Sequence, residues 1–155
     1  MRRAKPEKRE LIPDVRYNSI NLKTLMQHVL KQGKRSVATR LVYDALDLVK
    51  ERTGKNAIDV FDTALKNVSP VMEVRPRRVG GATYQVPMEV SSDRRTTLAI
   101  RWILSATRER AGKSFPDKLA SELIDASNET GAAIRKRDET HKMAEANRAF
   151  SHYRV

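Results

Sequence analysis

The sequence predicts a mainly α, single-domain protein: a bundle of six helices with a two-stranded β-ribbon protruding between the third and fourth. Three observations carry that prediction. Apolar residues recur at helical spacing along nearly the whole chain. One stretch, residues 71–90 (VMEVRPRRVGGATYQVPMEV), breaks that habit and alternates instead, with Tyr84, Val86, Met88 and Val90 at period two. The length, 155 residues, suits one domain that buries roughly 70% of its unfolded surface.

Residues 1–10 hold five basic residues, two acids and a proline without periodicity, and read as a basic arm. The arm either orders on a partner or merely solubilises the chain. Residues 13–19 are turn-like, and Ser19 or Asn21 is placed to cap the first helix. Leu22, Leu25, Met26, Val29 and Leu30 mark that helix, which Gly33 stops. Lys34-Arg35 forms a joint. Ser36 then begins a second helix striped by Ala38, Leu41, Val42, Ala45, Leu46 and Val49, ended by Gly54. Asn56 with Asp59 resembles a capping box for a third helix, with Ile58, Phe61, Leu65 and Val68 inward. Ser69-Pro70 closes it, because a residue before proline avoids the helical region.

The ribbon comes next. Gly80-Gly81 takes positive φ at little steric cost and permits a tight reversal. Pro76 and Pro87 cannot donate to a ladder, so both arms must be edge-like. A three-residue loop, 80–82, would place Val74, Val86 and Met88 on one face and Arg75 and Arg77 on the other. A two-residue loop would scramble that pairing. After the ribbon, Ser91 or Ser92 caps a fourth helix with Leu98, Ala99, Trp102, Ile103 and Ala106 inward, terminated at Gly112. Ser114 caps a fifth, with Pro116 in its first turn, Leu119, Leu123 and Ile124 inward, and Gly131 at its end. A sixth, weakly amphipathic helix is expected over 132–150, with residues 151–155 as a short tail.

Lys plus Arg number 31 against 19 Asp plus Glu, a formal net charge of +12. That excess calls for a polyanionic partner, and nucleic acid is the first candidate. A basic membrane-surface helix would need bulky apolar anchors, and one Trp with three Phe supplies none. No apolar run approaches about 18 residues and no signal-like apolar core comes after the basic start, so a soluble, unexported protein is expected. The absence of cysteine suits a reducing cytoplasm.

Enzyme chemistry does not assemble. His28, His141 and His152 are scattered without metal-ligand spacing, and His28, beside the first apolar stripe, reads as structural. Asp138-Glu139, and Asp44 with Asp47, read as solvated helix faces. Gly33-Lys34 would need Gly at 28 and Ser or Thr at 35 for a phosphate loop, and holds His28 and Arg35. No cofactor or metal is expected. What does assemble is a set of dispersed cations. Arg75, Arg77 and Arg78 lie on the ribbon with no acid between residues 74 and 88, although a solvated hairpin would look the same. Arg94, Arg95, Arg101, Arg108 and Arg110 share the open face of the fourth helix. Dispersal suits a folded RNA that wraps several faces. Tyr84 and Tyr153, near arginines, either stack on unpaired bases or pack on their own elements; Trp102 reads as core.

The ribbon sequence, then Leu98-Ala99 and Arg101-Trp102, then MAEANRAFSHYR over 143–154, closely resemble bacterial ribosomal protein seven of the small subunit. Gly33-Lys34-Arg35 with Leu41-Val42 and Ala45 after it resembles that family's N-terminal signature, and the likeness runs the whole chain in order. The resemblance implies a helical bundle with a protruding ribbon in the head of the cytoplasmic small ribosomal subunit. It implies direct binding to the 3′ major domain of the small-subunit ribosomal RNA and nucleation of head assembly. It also places the ribbon at the subunit interface near exit-site tRNA and mRNA, and implies contact with the ninth and eleventh small-subunit proteins. The candidate rRNA-binding residues are then Arg2, Arg3, Lys5, Lys8 and Arg9 in the arm, with Lys34 and Arg35 at the joint. Arg75, Arg77, Arg78, Arg94, Arg95, Arg101, Arg108, Lys142, Arg148 and Arg154 complete the set. Arg78, Gly80, Gly81, Ala82 and Tyr84 form the tip near tRNA and mRNA. Asp93, just before Arg94-Arg95, departs from the basic pattern.

The rival reading is a basic helical DNA-binding regulator with a helix-turn-helix around Gly33. Its second helix, however, opens on Val37, Ala38, Leu41 and Val42, leaving few side chains to read bases. A nucleic-acid-modifying enzyme is a distant third.

Overall fold

The computed structural model describes residues 10–153, and six α-helices with a ribbon between the third and fourth are what it holds. They are α1 (Ile20–Val29), α2 (Arg35–Thr53), α3 (Ala57–Val68), β1 (Met72–Val79), β2 (Ala82–Glu89), α4 (Ser92–Glu109), α5 (Phe115–Ser127) and α6 (Ala132–Ala146). Among the described residues, no helix is long and apolar enough to cross a membrane.

Helix α5 is the hub, packing against α2, α3, α4 and α6. Its Leu119 and Leu123 meet a core in which Phe61, Leu22, Leu25, Leu46, Ile100 and Ile103 are also fully buried. Losing one such leucine to alanine is expected to cost about 2–5 kcal/mol. Local chemistry sets the helix starts. Ser19 Oγ accepts Leu22 N–H at 3.3 Å, and Ser114 Oγ accepts Asp117 N–H at 3.4 Å. The expected box at Asn56 is not made: Asn56 is the N-cap of α3, but its side chain makes no capping bond.

Several boundaries differ from those expected. Helix α1 ends at Val29, leaving Leu30 exposed, and the reversal runs through left-handed Gln32 and Gly33. His28, beside the apolar stripe, is exposed in the last turn of α1. Gly131 does not end α5, which closes at Asn128; it starts α6, with φ +97°. A side chain there would also be crowded, since an added Cβ would lie 3.2 Å from both Asp125 Cβ and Glu122 Oε1. The sixth helix stops at Ala146, short of 150, because the chain tightens into a C-terminal 3-10 helix, Arg148–Tyr153.

The ribbon's loop is the two-residue alternative. Val79 pairs with Ala82 around Gly80 and Gly81, whose φ values of +57° and +89° make the turn that matches strand twist. Arg75 is therefore opposite Val86, and Arg77 opposite Tyr84. Opposed residues share a face, so Glu73, Arg75, Arg77, Tyr84, Val86 and Met88 lie together, and Val74 lies with Pro87 on the other side. The face-sharing expected from a three-residue loop is overturned. The ribbon is held at its root by the helical body: β1 packs on α6, and β2 on the 3-10 helix. Val86 and Val90 are buried.

Candidate nucleic-acid interface

The register brings cations of different elements together at the ribbon's base. Glu73, with its side chain only 9% exposed, accepts Arg75 Nε on Oε1 at 2.6 Å. Arg94, in the first turn of α4, donates its Nε to both Glu73 oxygens at 2.9 Å, and its Nη2 lies 2.9 Å from Oε2. Next to it Arg95 donates Nε to the Val90 carbonyl at 2.9 Å, tying α4 to the end of β2. Further along the ribbon, Arg77 donates Nη1 to the Tyr153 carbonyl at 2.9 Å. Tyr84, opposite Arg77, packs on Phe150 and Tyr153 with ring centroids 5.3 and 5.0 Å away. Both tyrosines face each other, so their main contact is the clasp between ribbon and C-terminal helix.

A second group stands open. Lys34, Arg35, Arg78, Arg101, Arg108 and Lys142 are exposed, and no carboxylate lies within ion-pair reach of them among the described residues. Arg148 is exposed too, with Glu145 3.3 Å away in a pair that solvent screens. The open cations are dispersed over the α1–α2 joint, the ribbon and α4, with Lys142 on α6. Arg2, Arg3, Lys5, Lys8, Arg9 and Arg154 lie outside the described residues.

A third group is engaged by other groups of the protein, at the surface for Arg16 and Arg52 and partly buried for Arg110 and Arg137. Arg110, expected on the open face of α4, instead turns inward to fully buried Glu122 at 2.8 Å and to Asp125. Burial pulls its guanidinium down, but the hydrogen bonds to Asp125 and Glu122 prevail and raise its pKa. Glu122 accepts Ala133 N–H on its other oxygen at 3.0 Å, so α4, α5 and α6 meet at one carboxylate. Arg16 forks Asp47 at 2.7 and 3.1 Å and lies 5.3 Å from the ring centres of Tyr17 and Tyr43. Arg52 bridges Asp117 and Ser121, and Arg137 donates to the Asn67 carbonyl.

Two residues that shape this surface are not singled out by the sequence. Glu73 organises Arg75 and Arg94, and only its strand spacing from Arg75 hinted at it. Phe150 completes the aromatic clasp, a role that no local pattern announces.

The chain matches, over residues 1–148, the family model described as ribosomal protein S7p/S5e. It belongs to that family. The small ribosomal subunit protein uS7 of Pelotomaculum thermopropionicum is 58% identical over 99% of this chain and 98% of its own length. Those of Thermosynechococcus vestitus and Thermomicrobium roseum are each 56% identical over the same shares. Membership of the S7p/S5e family makes the chain a ribosomal protein, a structural component and not an enzyme, and it sets aside the DNA-binding regulator.

Proposed function

We propose that this S7p/S5e protein binds the 3′ major domain of small-subunit ribosomal RNA directly and nucleates assembly of the subunit head. The observation carrying that reading is the open cation group, spread over the joint, the ribbon and α4 without carboxylate partners among the described residues. Cations on several faces meet an RNA backbone that folds around the protein, and each neutralised phosphate releases counterions. In this reading the ribbon reaches past the body to the subunit interface. There its tip (Arg78, Gly80, Gly81 and Ala82, with Tyr84 behind) lies near exit-site tRNA and mRNA. The ninth and eleventh small-subunit proteins are the expected protein neighbours, and the arm's Arg2, Arg3, Lys5, Lys8 and Arg9 add RNA contacts, as does Arg154.

The test is equilibrium binding at physiological salt to a 3′ major-domain fragment and to a random duplex of equal length. A marked preference for the fragment, with a footprint inside it, is expected. Equal affinity for the two would overturn the reading.

A further inference from the structure

We propose that Glu73 is a positioning residue that presets Arg75 and Arg94 as one two-armed site for an RNA phosphate at the ribbon's base; this rests on the RNA reading above. Both Nε atoms bond the same oxygen, Glu73 Oε1, at 2.6 and 2.9 Å, so the two guanidiniums are held as neighbours. The carboxylate is 9% exposed, whereas the two arginines are 51% and 45% exposed. Glu73 grips Arg75 through Nε alone, leaving both its Nη groups unpartnered among the described residues. Arg94 is held through Nε and Nη2, which leaves Nη1.

One carboxylate against two guanidiniums leaves an excess positive charge facing outward. The free N–H donors carry the fork geometry that suits phosphate oxygens. Holding both long side chains in advance also removes rotamer freedom that binding would otherwise have to remove. The ligand class is a phosphate of the RNA backbone, and base identity is not read.

Electrostatics alone and positioning predict opposite signs for Glu73→Gln. Removing an acid raises the net charge by one, so a carboxylate that merely opposes RNA would, when removed, tighten binding. Removing a positioning carboxylate would instead weaken it by roughly tenfold, the size of one misplaced charge-assisted bond. The experiment titrates the 3′ major-domain fragment with wild type, E73Q, R75A/R94A and the triple variant, with thermal unfolding as a check on folding.

Weaker binding by E73Q that vanishes in the R75A/R94A background supports the assignment. E73Q binding as well as or better than wild type overturns it, as does an E73Q loss that persists without the two arginines. Should E73Q unfold, Glu73→Asp replaces it: reduced affinity again supports the assignment, and wild-type affinity overturns it. If wild type itself does not prefer the fragment, the RNA reading falls and takes this one with it. A preference kept by wild type and by E73Q alike sinks the Glu73 role alone.

Discussion

His141 holds the approach to the ribbon through a hydrogen bond that only a ring nitrogen without a proton can accept. Its Nε2 accepts Val71 N–H at 3.1 Å, just before β1. Burial, and after it Arg137, holds its pKa below the ordinary 6.5, with Asp138 pulling weakly the other way. As pH falls through 6.5 the unfolded chain therefore takes up protons first, so this contribution is complete above that pH and declines below it. The unfolding midpoint should drop from about pH 7 to about pH 5, and His141→Gln, which keeps an acceptor, should flatten the drop. An identical pH profile for the variant would refute the coupling. At Gly131 the expected cost of alanine is about 1–3 kcal/mol in denaturant unfolding, from positive φ and the crowded Glu122 carboxylate. Wild-type stability in that variant would contradict the strain argument. Residues whose roles are local, such as the Ser19 and Ser114 caps and the Gly80-Gly81 turn, were legible in the sequence. Arg110 was not, because its partners Glu122 and Asp125 lie on another helix and only packing brings them close.

Among the elements, the ribbon is the one whose two ends differ most in burial. Its root is built from buried Val86 and Val90, while residues 78–83 at its tip are exposed. Gly81→Val forces a β-branched residue to φ near +89°, at about 1–3 kcal/mol of local strain, and should leave helix content unchanged by circular dichroism. A global loss of helix would show that the tip is needed for folding. Tyr84→Ala removes the centre of the clasp with Phe150 and Tyr153. It should speed amide exchange across Arg148–Tyr153 while exchange in α5 stays slow; unchanged protection in the 3-10 helix would refute the clasp. Periodicity made the six helices and the ribbon's position legible, because one buried face imposes it. It left the ribbon's register open, since glycine permits both loop lengths and each gives a plausible pattern of faces. It also missed the 3-10 ending, whose shape comes from Phe150 and Tyr153 reaching Tyr84 across space.

For the molecule as a whole, net charge announced a polyanionic partner, but composition says nothing about which cations are free. The fold does that sorting: Arg16, Arg52, Arg110 and Arg137 are tied to protein groups, and Lys34, Arg35, Arg78, Arg101 and Arg108 stand open. It depends on packing between distant helices, so periodicity and charge pointed to most of the open set without separating it from Arg110. Deleting the tip, residues 78–84, should leave a helical protein that still enters small subunits while altering exit-site tRNA retention or frame maintenance. Exclusion from subunits, or an unaltered exit site, would count against that division of labour. The central claim is that the open cations meet RNA phosphates, and the salt dependence of binding to the 3′ major-domain fragment tests it most directly. Replacing Lys34, Arg35 and Arg101 with alanine should reduce the log–log slope by about 0.7–0.9 for each phosphate no longer neutralised. Replacing the internally paired Arg16 and Arg52 should leave the slope where it was. A slope unmoved by the first set, or reduced equally by the second, would contradict the account.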